Sequence, residues 1–242
     1  MKKILIVEDQ IAIIDGKYYN ASFDLSEEGW EEEEIFQNQP VEVVNSVAEA
    51  LQRLSSGSYS HVVTDLGLPA SGTYPYEVNN GSLIKLPLNG EERKSEYTSR
   101  LIALIPLSQT ISIWRCKLGS NEEEDYVNDT LTSEDVIEAT MERPTGYGVL
   151  VAKECTERSL PFTVYTNDVT HGLFGIALLA LSGLVPANTV KRIAKRHSRE
   201  SASIHLPTEK REQLFISADR KFAIGYKWVN KNWERLLDQL TT

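Results

Sequence analysis

The chain has 242 residues, of which 41% are hydrophobic and 25% are charged, a balance typical of a soluble globular protein. Its formal net charge of -10 argues against a surface built mainly to bind nucleic-acid phosphates, although a local basic patch stays compatible with it. The two cysteines, Cys116 and Cys155, form no metal-type cluster and no disulfide framework, so we expect a cytoplasmic location.

Strand and helix patterns alternate along the chain, which predicts an α/β fold with a parallel sheet. Each predicted strand is a short, largely apolar run, and each predicted helix has apolar residues at helical spacing. The strands are expected at residues 4–7, 41–44, 61–64, 161–165 and 222–226, and the helices at residues 47–54, 147–155, 173–185 and 233–240. Two acids end the first run after four apolar residues, so it is interpreted as a strand rather than as a signal peptide.

Three connections are longer than such a sheet requires, and we interpret them as insertions at approximately residues 10–40, 71–145 and 186–218. The acidic run at residues 31–34 is interpreted as the solvated face of a helix. Within the second insertion, a helix is expected to begin near Thr132 or Ser133, because both can cap a helix and acids follow them.

The predicted helix at residues 173–185 is unusually apolar, although it is too short to cross a membrane, which needs about 20 residues. We therefore expect it to be buried, with no membrane association. Either the extension that follows it or a partner protein must cover it, and we favour cover from within the chain.

Polar residues follow the ends of four predicted strands, namely Glu8, Asp9, Asp65, Thr166 and Lys227. In parallel sheets, ligands bind beyond the carboxyl ends of the strands. Three carboxylates meeting there predict a Mg²⁺ site, and a hydroxyl and an ammonium beside them suit phosphoryl oxygens. Because a carboxylate nucleophile forms an acyl phosphate, the pattern predicts phosphoryl transfer.

These segments resemble the receiver domain of response regulators in two-component signalling, over roughly half of the chain. The similar segments are residues 2–10, 41–54, 59–69 and 160–166, and residues 64–69 (Thr-Asp-Leu-Gly-Leu-Pro) are the most specific of them. The resemblance implies a doubly wound, five-stranded parallel sheet of the flavodoxin-like type. It also implies a single receiver-like domain over residues 1–242, with the insertions named above.

The resemblance further implies a role for each residue of the acidic set. Asp65 is expected to be phosphorylated, and Glu8 and Asp9 are expected to hold Mg²⁺ together with Asp65. The backbone carbonyl of Gly67 is at the position where the family supplies a further metal ligand. Thr166 is at the position that contacts the phosphoryl group, although it can also be read as the cap of the next helix.

The lysine of the family is assigned to Lys227, which would pair with the phosphorylated carboxylate. Two departures leave Lys210 and Lys221 as alternatives. Trp228 stands where the family usually has a proline, and Ile224 stands where it usually has an aromatic residue.

The partners implied are a histidine kinase or phosphotransfer protein as phosphoryl donor and a protein that receives the output. Catalysis by the chain itself would be limited to its own phosphorylation and dephosphorylation. The alternative is a receiver-like interaction module that does not switch. A phosphohydrolase is disfavoured, because Gly67 stands where such enzymes have a second acid.

Basic residues recur at helical spacing between Lys191 and Arg199. A solvated helix face explains them, and a docking surface for an acidic partner or nucleic acid is the second interpretation. The four histidines, His61, His171, His197 and His205, show no metal-ligand spacing and are interpreted as ordinary residues.

Overall fold

The computed structural model describes residues 3–20, 34–72, 76–79, 82–85, 94–118, 124–142, 146–166, 173–184, 222–224 and 233–241. Its central sheet is formed by β1 (Lys3–Val7), β5 (Val41–Val44), β6 (Tyr59–Thr64), β11 (Phe162–Thr166) and β12 (Phe222–Ile224). The strands are parallel and are ordered β5-β1-β6-β11-β12. The predicted α/β fold with a parallel sheet is therefore confirmed.

The described helices contribute to two hydrophobic cores that also contain residues of this sheet. They are α1 (Val47–Ser56), α2 (Lys94–Ile102), α3 (Ser133–Glu142), α4 (Gly148–Glu157), α5 (Leu173–Leu181) and α6 (Trp233–Thr241). Because side chains alternate along a strand, neighbouring residues of β1 enter different cores. Leu5 packs in the larger core with α1 and α4, whereas Ile6 packs in the smaller core with Trp233 of α6.

The ends of α1 follow from its sequence. The hydroxyl of Ser46 accepts a hydrogen bond from the Glu49 backbone N–H at 3.4 Å, and the Glu49 carboxylate accepts one from the Asn45 N–H at 3.1 Å. These bonds satisfy backbone donors that the first turn leaves without helical partners. Gly57 ends the helix, with its N–H bonded to the Arg53 carbonyl.

The first insertion forms a small antiparallel sheet of β2 (Ile11–Ile14), β3 (Lys17–Asn20) and β4 (Glu34–Ile35). Asp15 and Gly16 form the two-residue turn between β2 and β3, with φ of 50° and 76°. A type I′ turn needs positive φ at both positions, which aspartate tolerates and glycine adopts readily. Glu34 pairs with Tyr19 across the ladder, and its carboxylate lies 2.8 Å from the Lys17 ammonium. The helical interpretation is therefore wrong for Glu34, and residues 31–33 lie outside the described residues.

The described residues of the second insertion form two hairpins and two helices. The hairpins are β7 (Tyr76–Asn79) with β8 (Ser82–Lys85), and β9 (Thr110–Leu118) with β10 (Glu124–Thr132); the helices are α2 and α3. The helix predicted near Thr132 is confirmed as α3. Thr132 caps it, because its hydroxyl accepts from the Asp135 N–H while the Asp135 carboxylate accepts from the Thr132 N–H.

The apolar helix α5 is buried along residues 177–181, and it packs against α3, α4 and β9. The expected burial is confirmed for residues 177–181, and part of their cover comes from α3 and β9 of the insertion that precedes α5 in sequence. The contribution of residues 186–218 lies outside the described residues. Among the helices that the structure describes, none has the length and apolar content that crossing a bilayer requires.

His61 on β6 is half-buried, and its Nε2 lies 2.8 Å from the Thr163 hydroxyl on β11. Burial lowers the pKa of this imidazole from 6.5 to about 4. Its neutral form stabilises the fold fully above pH 6.5, and this contribution is lost as the pH falls from 6.5 towards 4.

We predict that the free energy of unfolding of the wild type falls more steeply than that of His61→Gln between pH 6.5 and pH 4. The difference between the two decreases is at most about 3 kcal/mol. Urea unfolding at several pH values measures the difference. Thr163→Val is the control, because it removes the hydrogen-bond partner and keeps the titrating ring. Parallel pH profiles for the wild type and His61→Gln would contradict the prediction.

Candidate functional site

The carboxyl ends of β5, β1 and β6 are joined by backbone hydrogen bonds just where the acidic residues begin. Val7 is in register with Thr64, so Glu8 and Asp65 are the next residues on two adjacent strands. The Asp65 N–H donates to the Val7 carbonyl at 3.0 Å, and the Glu8 N–H donates to the Val44 carbonyl at 3.0 Å. The parallel register therefore places both acids at one edge of the sheet.

Glu8, Asp9 and Asp65 form a cluster in which one carboxylate oxygen from each residue lies within 4.8 Å of the other two. Their exposed fractions are 1%, 8% and 7%, so Glu8 is the deepest and the two aspartates reach the surface slightly. We call these three residues the acidic cluster. Segments more than fifty residues apart in sequence thus meet, as the sequence pattern predicts.

The backbone that follows β6 holds the Asp65 side chain. Its Oδ1 accepts hydrogen bonds from the N–H groups of Leu66, at 2.5 Å, and Gly67, at 3.3 Å. The buried Thr64 hydroxyl donates to the Asp65 carbonyl at 2.9 Å. Hydrogen bonds from two successive backbone N–H groups restrict the rotamer of the Asp65 side chain, so its carboxylate is held in one orientation.

Asn45 is a residue of this site that the sequence reasoning missed. Its buried side-chain amide donates to the backbone carbonyls of Glu8, at 2.7 Å, and Ile11, at 2.8 Å. It therefore clamps the turn that carries Glu8 and Asp9. A signal was present, because Asn45 directly follows the predicted strand at residues 41–44 and is thus a further polar residue at the same sheet edge.

Gly148, the first residue of α4, is the second missed residue, and no local pattern reveals it. Its N–H donates to the Leu66 carbonyl at 3.2 Å. A Cβ atom at this position would lie 1.7 Å from the Asp65 carbonyl oxygen, so only glycine allows this approach. The contact joins residues 83 positions apart in the sequence, which is why spacing does not predict it.

The remaining predicted residues are only partly covered by the described structure. Thr166 ends β11, which is the strand beside β6, so its backbone lies at the same sheet edge. Gly67 is exposed in the loop after Asp65, and the role of its carbonyl stays a prediction. The residues that lie outside the described part are Lys210, Lys221, Lys227 and the basic segment from Lys191 to Arg199.

The oxygen donors of the acidic cluster suit a hard divalent cation. Three carboxylates held this close repel one another, and a cation between them offsets that repulsion. Two Mg²⁺ ligands on opposite sides of the ion are about 4.1 Å apart, and two Ca²⁺ ligands are about 4.8 Å apart. The three carboxylate oxygens lie within 4.8 Å of one another, a spacing compatible with one divalent cation that contacts all three carboxylates.

Comparison of the chain with protein-family models, with curated proteins and with solved structures finds no match.

We predict that Asn45→Ala lowers the free energy of unfolding by about 2–3 kcal/mol, because two buried carbonyls lose their donor. Urea denaturation measures this change. Gln37→Ala is the matched control, since Gln37 is exposed and its amide also donates to a backbone carbonyl, that of Glu34. Equal destabilisation by the two substitutions would show that the Asn45 clamp contributes nothing specific.

Proposed function

We propose that the protein is a cytoplasmic receiver of a two-component or phosphorelay system, in which Asp65 accepts a phosphoryl group with the help of Mg²⁺. The observation that carries this proposal is the acidic cluster at the carboxyl ends of two adjacent parallel strands. Such edges are where open α/β sheets bind their ligands. The sequence resemblance to receivers assigns the same three residues to the metal and the phosphoryl group.

The topology supports the same proposal. Numbered along the chain, the strands of the central sheet are ordered 2-1-3-4-5, which is the order of flavodoxin-like doubly wound folds. We propose that the chain is one receiver-like domain of this fold over residues 1–242. In this interpretation the antiparallel sheet β2–β4 occupies the connection between the first two strands of the sheet, where a doubly wound fold ordinarily has a helix.

The proposed chemistry is nucleophilic attack by a carboxylate oxygen of Asp65 on phosphorus. The new oxygen–phosphorus bond forms as the bond from phosphorus to the donor nitrogen breaks, and the donor imidazole keeps that electron pair. Mg²⁺, held by Glu8, Asp9 and Asp65 with the Gly67 carbonyl, would offset the charge on the phosphoryl oxygens. Thr166 would bind one of these oxygens, and Lys227 would pair with the modified carboxylate.

The proposed donor is a histidine kinase or phosphotransfer protein, and the proposed output is binding of a partner protein. A phosphoryl group would add negative charge at the sheet edge where β11 also ends. The alternative, an interaction module that does not switch, shares the fold and differs in cation binding and modification. Both differences are measurable.

We predict that Mg²⁺ and Ca²⁺ raise the thermal midpoint of unfolding of the wild type, because a ligand that binds only the folded state stabilises it. The gain is about 2.7 kcal/mol when the ligand is at a hundred times its Kd. Asp9→Asn and Asp65→Asn should lose most of this gain. Glu157→Gln is the control, because Glu157 is exposed and pairs with Lys153 on the surface of α4.

Scanning fluorimetry with and without each cation measures these shifts. Equal cation-induced shifts in all four proteins would contradict a site at the acidic cluster. No shift in the wild type would favour the module that does not switch.

We predict that acetyl phosphate with Mg²⁺ adds one phosphoryl group to the wild type and none to Asp65→Asn. Intact-mass spectrometry at neutral pH detects the product, and mild alkali should remove it because an acyl phosphate hydrolyses readily. Asp15→Asn is the matched control, because Asp15 is exposed and asparagine tolerates its φ of 50°. Modification of Asp65→Asn, or none of the wild type, would count against Asp65 as the acceptor.

A further inference from the structure

Tyr147 connects the second insertion to the segment that carries Asp65. It directly precedes α4, and only 2% of its surface is exposed. Its hydroxyl oxygen lies 2.8 Å from the Thr98 hydroxyl and 3.4 Å from the Lys94 carbonyl, and both residues belong to α2. A buried tyrosine at the start of α4 therefore bonds to a helix of the insertion.

The two hydroxyls and the Lys94 carbonyl form one hydrogen-bonded group. The Thr98 hydroxyl lies 2.8 Å from the Lys94 carbonyl and 2.8 Å from the Tyr147 hydroxyl, and either hydroxyl can donate to the other. In both arrangements Thr98 is the side-chain partner of Tyr147. Thr98→Val removes this partner with little change of shape, whereas Thr98→Ser keeps it.

The residue after Tyr147 lies against the backbone of the phosphoryl acceptor. Gly148 bonds to the Leu66 carbonyl and leaves no room for a Cβ atom beside the Asp65 carbonyl. Gly146, on the other side of Tyr147, has a φ of 80°, which sets the chain direction into α4. A shift of the Tyr147 ring is therefore passed to the Asp65–Leu66 backbone through the adjacent residue.

The helix that holds Tyr147 is itself fixed in the core. Tyr97 and Leu101 of α2 are 4% and 0% exposed, and both belong to the larger core. Because α2 packs there against α3 and α4, the Thr98 hydroxyl is a fixed point rather than a group on a loose loop.

We infer that Tyr147 is a positioning residue for Asp65, and that α2 of the insertion, through Thr98, is part of the support of the phosphoryl-acceptor site. This inference rests on the proposed function for its effect on the reaction. Its structural part, the coupling of α2 to the Asp65–Leu66 backbone, is measurable without any phosphoryl group. The second insertion then has a structural role at the site, because its helix α2 supports the backbone that carries Asp65.

The first test uses the full chain without metal or phosphodonor. Amide hydrogen exchange followed by NMR reports on the Gly148 N–H, which is bonded to Leu66. Tyr147→Phe and Thr98→Val should speed this exchange about three- to tenfold, the change expected for loss of one hydrogen bond. Thr98→Ser should match the wild type, and so should Tyr97→Phe, a buried tyrosine one position away on the same helix.

The second test measures the rate of phosphorylation by acetyl phosphate as a function of Mg²⁺ concentration. Tyr147→Phe and Thr98→Val should lower the maximal rate about three- to tenfold, with the half-saturating Mg²⁺ concentration unchanged, because the nucleophile and not the ion is displaced. The double variant should be no slower than either single variant, since both remove the same bond. Thr98→Ser should keep the maximal phosphorylation rate of the wild type.

The two tests separate the two proposals. Unchanged Gly148 exchange in Thr98→Val overturns the coupling, whatever the wild type does with acetyl phosphate. Altered exchange with an unchanged phosphorylation rate overturns the positioning role. The wild type can fail to be phosphorylated while Gly148 N–H exchange is faster in Thr98→Val than in Thr98→Ser. In that case the proposed function fails and the coupling of α2 to the Asp65–Leu66 backbone is supported.

Discussion

The acidic cluster depends on a constraint of the parallel sheet: adjacent strands in register end at the same edge, whatever charges follow them. Glu8 and Asp65 are each bonded through the backbone to a neighbouring strand, so their mutual repulsion cannot separate them without breaking the ladder. The sheet therefore holds close together negative charges that a flexible chain would keep apart. A divalent cation bound among the three carboxylates would offset this repulsion.

The surroundings of the cluster restrict its geometry in two directions. On one side, the Asn45 amide clamps the turn after β1 to the end of β5. On the other, Gly148 brings α4 against the backbone of Asp65, and Tyr147 ties that contact to α2. In the proposed function such support matters, because small displacements of a nucleophile slow a reaction strongly. Both supports come from elements that are remote from the acids in sequence.

The first and second insertions both contribute to the packing around the central sheet. Ile11 of β2 and Phe36, the residue after β4, belong to the smaller core, where Phe36 packs edge-on against Trp233 of α6 with the ring centroids 5.5 Å apart. The second insertion covers α5 with α3 and β9. The apolar surface of α5 is thus covered by a segment that precedes this helix in the chain.

By itself, the sequence determined the strands and helices of the central layer, because apolar periodicity and capping residues such as Ser46 act within a few residues. It also determined that acids follow the strands at Glu8 and Asp65. Only the tertiary structure decided that Asn45 and Gly148 support them, because those contacts cross 37 and 83 residues and depend on packing. Glu34 shows the same limit, since pairing with β3 outweighs the helical preference of an acidic run.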